Sequence, residues 1–394
     1  MVLRFLTSGE SHGKCLNAII EGVPAGININ KDFINNELKR RQIGFGRGGR
    51  MLIETDTVEI KSGVRLGKSI ASPICLEVKN KDWENWQIAM NDEEQDLNDE
   101  NIAKAIETKK ITKLRPGHAD YAGAIKYDFE DIRNVLERSS ARETTTRVAV
   151  GAIAKLILKE FNIQGFSHVT EIGQIKANTT NLNYSEIKEK AENSDLRCAD
   201  ENAYVQMKQE IIKTQEMGTT LGGKIEIIFE NLPVGLGSYV NWDKRLDGIL
   251  AQALMSIPAV KAVEIGLGTK AGELYGSNVH DEIFFEKNKI TRNTNNAGGL
   301  EGGMTNGEPL VVTITMKPIP TMKTPLKSID FKTKESIDAH FERADVCAVP
   351  ACGVVAEAMC AIILANAFME KFGQDNLNDI KNSFNSYLQK LEQI

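Results

Sequence analysis

The sequence predicts an α+β fold in which sheets enclose a buried helical layer, and two observations carry that expectation. Two long segments repeat apolar residues at helical spacing, yet they are rich in alanine and apolar on more than one face, as expected of helices held between layers and not on a surface. Short β-branched runs bounded by Gly, Asn or Pro are interleaved with them and supply sheet on either side. With 394 residues and 41% hydrophobic content, the chain can bury a large core in one domain or two.

In chain order, the first feature is the block Gly9-Glu10-Ser11-His12-Gly13, answered downstream by Arg115-Pro116-Gly117-His118-Ala119-Asp120. Each places a histidine near glycine, on backbone that a ligand can approach closely. The chain has only five histidines. A core histidine belongs in an apolar periodic run, whereas these two interrupt helix, and imidazole exchanges protons near neutral pH. They point to a proton-transfer site, with turn histidines as the plainer alternative.

Next comes Gly44-Phe45-Gly46-Arg47-Gly48-Gly49, with Arg40, Arg41 and Arg50 close by. It lacks the buried strand before it and the helix after it that give a dinucleotide loop its mechanism, and no Walker-type Gly-Lys-Ser is present. Two segments, Asn80 to Thr112 with its acidic run from Asn91 to Asp96, and the charged Asn178 to Thr214, read as surface elaborations with little bearing on chemistry.

The first long helix starts near Arg142-Glu143-Thr144, runs through Val148, Ala152, Ile153, Leu156, Ile157 and Phe161, and stops before Gly165. The second follows Pro350 through Val354, Val355, Ala358, Met359, Ile362, Ile363 and Phe368, closing at Gly373. Each is preceded by a Glu-Arg pair, Glu137-Arg138 and Glu342-Arg343, which fits internal duplication or coincidence equally. Ile225 to Glu230 and Leu310 to Met316 are strands. The glycines and amides from Asn295 to Gly307 either present a row of N–H groups to an anion or flat ring, or form tight turns between strands; spacing alone does not choose.

A net charge of −6 argues against non-specific nucleic-acid binding. The arginines nevertheless cluster, with Arg115 beside His118, Arg138 near Arg142 and Arg343 beside Asp345, which suits a small polyanion gripped by planar guanidinium groups. Cys15, Cys75, Cys198, Cys347, Cys352 and Cys360 lack the paired spacing of a zinc or redox motif, so no metal is expected. No apolar run reaches the roughly 18 to 20 residues of a membrane span on this reading. The stretch Met1 to Leu6 leads directly into the first motif, leaving no room for a signal peptide, and the expected location is cytoplasmic.

Taken together, Gly9 to Gly13, Arg115 to Asp120, Arg138-Ser139-Ser140-Ala141-Arg142-Glu143-Thr144, Asn296 to Gly307, Met316 to Thr321, and Arg343-Ala344-Asp345 followed by Val355 to Met359 resemble the signature segments of the chorismate synthase family, in the family's order and over nearly the whole chain. The Arg-Arg-Gln-x-Gly-x-Gly-Arg pattern from Arg40 to Arg47 is similar too. The chief variation is Val135-Leu136-Glu137 ahead of Arg138, where some members carry glycines.

The resemblance implies one β-α-β sandwich domain over 1–394, with a buried helical layer between antiparallel sheets and peripheral insertions near 80–112 and 178–214, assembling as a homotetramer. It implies conversion of 5-enolpyruvylshikimate 3-phosphate to chorismate and phosphate by an anti 1,4-elimination, with reduced FMN required although nothing is oxidised overall. NADPH used by the chain itself, or an external flavin reductase, keeps the flavin reduced. By position, His12 protonates the departing phosphate and Ser11 contacts the substrate. His118 stabilises the reduced flavin at its pyrimidine end, and Asp345 acts with flavin N5 to remove the C6 proton. Arg41, Arg47, Arg115, Arg142 and Arg343 cage one phosphate and two carboxylates. The flavin contacts are Arg138, Ser139, Ser140, Pro258, Ala259, Gly302, Lys317, Pro318, Ile319, Pro320, Thr321 and Arg343. Two readings without chemistry, a flavin-binding descendant and an anion-binding module, give no reason for holding His12, His118 and Asp345 together with the arginines.

Overall fold

The computed structural model describes residues 3–48, 55–286, 289–342 and 345–393. A first antiparallel sheet is built from β1 (Arg4–Gly9), β2 (Cys15–Glu21), β3 (Val58–Ile60) and β4 (Ile74–Lys79) in the order β1-β2-β4-β3. Leu16, Ala18 and Ile20 of β2 and Ile74, Leu76 and Val78 of β4 are all buried, while the alternate positions Asn17, Ile19 and Glu21 face outward or half outward. That is the period of two that a sheet with one covered face requires.

The second sheet comprises β5 (Gln164–Ile172), β6 (Ile175–Lys176), β7 (Gly223–Glu230), β8 (Val260–Ile265) and β9 (Leu310–Met316), ordered β8-β9-β7-β5-β6. Every pairing is antiparallel. Strands β7 and β9 contain the two runs expected from sequence, with Ile225 opposite Ile314 and Ile227 opposite Val312. The pairing of β8 with β9 shifts register around Lys261, a bulge of the kind that redirects a side chain.

Four helices position the site: α1 (Lys31–Gln42), α2 (Arg133–Ser139), α3 (Thr144–Lys159) and α4 (Val349–Phe372). Helix α3 packs against β1, β2 and β4, α4 packs against β5 and β7, and the two helices pack on each other. Their contact is close because a Cβ on Gly151 would collide with Ala358; two small residues let the backbones approach. Pro350 lies in the first turn of α4 and Gly373, at φ 112°, ends it, the usual asymmetry of helix punctuation. The fold is mixed helix and strand, as the sequence predicts.

Two expectations need correction. Helix α4 is long and apolar enough to cross a membrane by length and composition alone, although no such segment was expected; its apolar window is entirely buried within the fold. Glu357 interrupts the apolar run in the middle of the helix and is fully buried among cations. The segment 178–214 is not mere decoration either: Leu196, Ala203, Met207 and Ile211 belong to the main core.

Candidate active site

The end of α1, the loop 115–119, the junction of α2 and α3, the start of β8, the end of β9 and the first turns of α4 surround a cavity of about 440 Å³, a size suited to small-molecule ligands. Among the described residues, six cationic side chains line it (Arg41, Arg47, Arg115, Arg142, Lys261 and Lys317), against two carboxylates, Glu342 and Asp345. The cavity is therefore built for anions.

Arg41 sits in the last turn of α1. Its Nε donates to Thr144 Oγ1 at 3.0 Å and its Nη2 to the Ala141 carbonyl at 2.8 Å. Its Nη1 is buried without a hydrogen-bond partner, 3.8 Å from Asp56 Oδ2. Burial lowers the pKa of this guanidinium; Asp56 opposes the shift, while Arg47 and Arg142 reinforce it. A bound anion would relieve all of these strains together.

The glycine loop after α1 is clamped to the segment before α4. Val346 N–H donates to the Gly46 carbonyl at 2.8 Å, and Gly46 takes φ 84° with Ile211 packed where a Cβ would go. This joins Asp345 to the loop: its Oδ1 accepts from Gly48 N–H at 2.6 Å, and its Oδ2 lies 3.3 Å from Arg47 Nε. The candidate base thus faces the cavity beside a candidate anion ligand. Arg142, in the short turn between α2 and α3, donates to both oxygens of Asp56 at 2.6 and 2.7 Å and to Asn80 Oδ1 at 3.0 Å.

His118 and Arg115 converge on Asp120. Arg115 donates through Nε and Nη2, each at 2.8 Å, and His118 Nδ1 lies 2.6 Å from Oδ1. Burial by itself would raise the Asp120 carboxyl, but the hydrogen bonds from Arg115 and His118 outweigh it and hold it well below the usual carboxylate range. The carboxylate accepts from Nδ1 and so orients the His118 ring, which lines the cavity.

The flavin segments divide. Ser139, Ser140, Pro258, Ala259, Lys317, Ile319, Pro320 and Thr321 line the cavity, whereas Pro318 and Arg138 do not. Arg138 turns instead to β1, donating to the carbonyls of Thr7 and Gly9 and to Thr7 Oγ1. Gly302 lies in the turn of a separate small hairpin, at φ 58° with no atom within 4 Å of its would-be Cβ. Ser11 and His12 are buried, against α2 and not on the cavity wall: Ser11 N–H donates to the Glu137 carbonyl at 3.0 Å. Arg343, expected at both ligands, lies outside the described residues, as does Arg50 of the glycine loop.

The residues present fit a flavin. Ile257, Pro258, Ala259, Ile319 and Pro320 form an aliphatic wall suited to a flat ring, with Lys261 and Lys317 available for its anionic tail. Gly117, at φ 79°, keeps the space between Lys317 and Pro320 open, where a Cβ would fill it. Burial pushes the Cys352 thiol on this wall up to about 12, so it contributes shape and not nucleophilicity.

Sequence reading gave no role to Asp56, Asn80, Trp86, Glu137 or Lys261; of these only Glu137 carried a local signal, as part of the variant stretch ahead of Arg138. Segment 80–112 in particular was read as remote from chemistry. Its Asn80 side chain nevertheless holds Arg142 and donates to the carbonyls of Glu10 and Gly13, and its Trp86 stacks on His12.

A family model described as chorismate synthase matches residues 3–369. The chain is 51% identical over 396 residues to the chorismate synthase of Geobacter sulfurreducens, covering 98% of this chain and 99% of that protein. It is 50% identical over 395 residues to the one from Aquifex aeolicus, covering 98% and 97%. A solved structure titled "Crystal Structure of Chorismate Synthase" aligns with TM-score 0.80 and 42% identity over 100% of this chain and 99% of its own. On sequence and on fold alike, the chain belongs to the chorismate synthase family.

Proposed function

We propose that this cavity carries out the reaction of the family: an anti 1,4-elimination that turns 5-enolpyruvylshikimate 3-phosphate into chorismate and phosphate, on the shikimate route to aromatic amino acids. The observation that carries the assignment is the convergence of Arg41, Arg47, Arg115 and Arg142 with Asp345 and His118 on one cavity. The substrate bears one phosphate and two carboxylates, and the excess of cations supplies their counter-charge. In the reaction the allylic C–O bond to phosphate and the C6–H bond both break, and the electron pair of the latter ends in the new diene. When bound, reduced FMN supplies an electron that helps expel phosphate and is returned as the hydrogen departs.

Within that scheme Asp345 takes the C6 proton, fixed toward the cavity by Gly48 N–H and Arg47. The motif Gly9 to Gly13 assigns His12 the proton given to the leaving phosphate and Ser11 a contact with the substrate, although neither side chain lines the cavity itself. His118, oriented by Asp120, lies at the pyrimidine end of the flavin. Ser139, Ser140, Pro258, Ala259 and the Lys317–Thr321 segment hold the ring. The family resemblance, and not the cavity lining, adds Arg138, Pro318 and Gly302 to the flavin contacts and Arg343 to both ligands, and it makes the assembly a homotetramer. The packing of α3 on one sheet and α4 on the other supports the family's β-α-β sandwich as a single domain over 1–394, with insertions near 80–112 and 178–214. We place the enzyme in the cytoplasm, with NADPH or an external flavin reductase as the source of electrons.

The deciding experiment is a stoichiometry. Under strict anaerobiosis, with dithionite-reduced FMN, chorismate and phosphate form in many equivalents per flavin, and oxidised FMN gives no activity. Product capped at one equivalent of flavin, or equal activity with oxidised FMN, overturns the assignment.

The arginine wall has its own test. Arg47→Lys weakens substrate binding by about tenfold or more, because a point charge replaces a planar fork making charge-assisted bonds worth about 1.5–3 kcal/mol. Calorimetric titration measures this, with circular dichroism showing an unchanged fold. An unaltered dissociation constant removes Arg47 from the substrate site.

A further inference from the structure

The His12 imidazole is gripped from two directions by residues that no motif assigns. One carboxylate holds it at two points: Glu137 Oε2 accepts the His12 backbone N–H at 2.7 Å, and Oε1 lies 2.8 Å from Nδ1. The ring also stacks on Trp86, with centroids 4.0 Å apart and planes inclined by 30°. Both neighbours are themselves anchored. Trp86 Nε1–H donates to Asp82 Oδ2 at 2.9 Å, while Lys109 and Arg133 stand over the indole at 4.0 and 4.9 Å from its centroid. Arg133 also donates to Glu137 Oε1 at 3.3 Å and to Glu342 Oε1 at 2.9 Å. Glu342 lines the cavity, so the assembly around His12 is tied to the cavity wall.

We infer that Glu137 and Trp86 are positioning residues for His12. Glu137, an acceptor at Nδ1, places that ring proton on the side of α2 and gives Nε2 the proton exchange with substrate. Bonding the backbone N–H with the same carboxylate fixes where the side chain begins as well as where the ring points. Trp86 sets the plane of the ring, and its cationic neighbours hold the indole in place. Segment 80–112 therefore supplies one wall of the acid's environment. The inference rests on the reading of His12 as the acid, and its test separates the two.

Nitrogen-15 NMR of histidine-labelled, ligand-free protein, recorded where the His12 ring is neutral and assigned through His12→Gln, reads the tautomer without any turnover. The wild-type ring shows the Nδ1–H form. Glu137→Gln, which can donate as well as accept, mixes the tautomers and lowers kcat at least about tenfold with KM and FMN affinity unchanged; Glu137→Asp recovers part of the rate. Trp86→Leu lowers kcat in the same selective way, and Trp86→Phe, which keeps a ring to stack on, does not. An unchanged tautomer in Glu137→Gln overturns the positioning role whatever the rate. A changed tautomer with unchanged kcat upholds the positioning and overturns instead the assignment of His12 as the acid. The Trp86 pair is read by the same NMR signals, so poor folding of one Glu137 variant leaves the proposal falsifiable.

Discussion

Asp345→Asn lowers turnover by about two or more orders of magnitude, the scale on which a lost acid–base group is felt, while FMN and substrate still bind. Asparagine keeps the size of the side chain and still offers an oxygen to Gly48 N–H, which in the wild type bonds Asp345 Oδ1 at 2.6 Å, so the clamp between the glycine loop and the segment before α4 survives. What it cannot do is accept the C6 proton. Anaerobic turnover with reduced FMN, set beside calorimetric affinities for flavin and substrate, distinguishes loss of chemistry from loss of binding. Near-normal turnover removes Asp345 from the proton path.

Glu357→Gln produces the largest loss of stability, about 3–5 kcal/mol, the cost of breaking a buried ion cluster from one side. The Glu357 side chain is fully buried in α4 and accepts from Arg40 at 2.8 and 2.9 Å, Lys155 at 2.6 Å, Arg197 at 3.1 Å and Ser167 Oγ at 2.6 Å. Burial by itself would raise its pKa, but Arg40, Lys155 and Arg197 together hold it well below its ordinary value of 4.5. A carboxylate depressed in the folded state contributes stability that is fully present above that ordinary value and is lost as pH falls through the folded-state pKa. The gap between wild type and Glu357→Gln in urea unfolding is thus widest near neutral pH and narrows below about pH 4.5. A pH-independent gap contradicts the charge-based account. The cluster matters for function as well, since Arg40 ties the end of α1 to α4 and so helps fix the position of its neighbour Arg41.

The second insertion enters the same cluster through Glu192 and Arg197, both bonded around Arg40 and Glu357. Its charge density made it look solvated because a sequence displays the charges of a segment without their partners. In the structure those partners come from α1 and α4, more than a hundred residues away on either side.

Sequence by itself determined the two central helices, the strands Ile225–Glu230 and Leu310–Met316, and the motif blocks, because apolar periodicity and glycine punctuation are local properties and six ordered blocks identify a family. It also named most of the cavity wall. Tertiary structure alone decided the partners: Asp56 for Arg142, Asn80 for the loop around His12, Glu137 and Trp86 for His12 itself. It also sent Arg138 to β1 and Arg142 to the cavity although they are only four positions apart, because α2 ends between them and a short turn changes the direction of the chain. Spacing along the chain reports which residue types are near one another; the energy of a buried charge depends on what surrounds it in space, and that is settled only when distant segments pack.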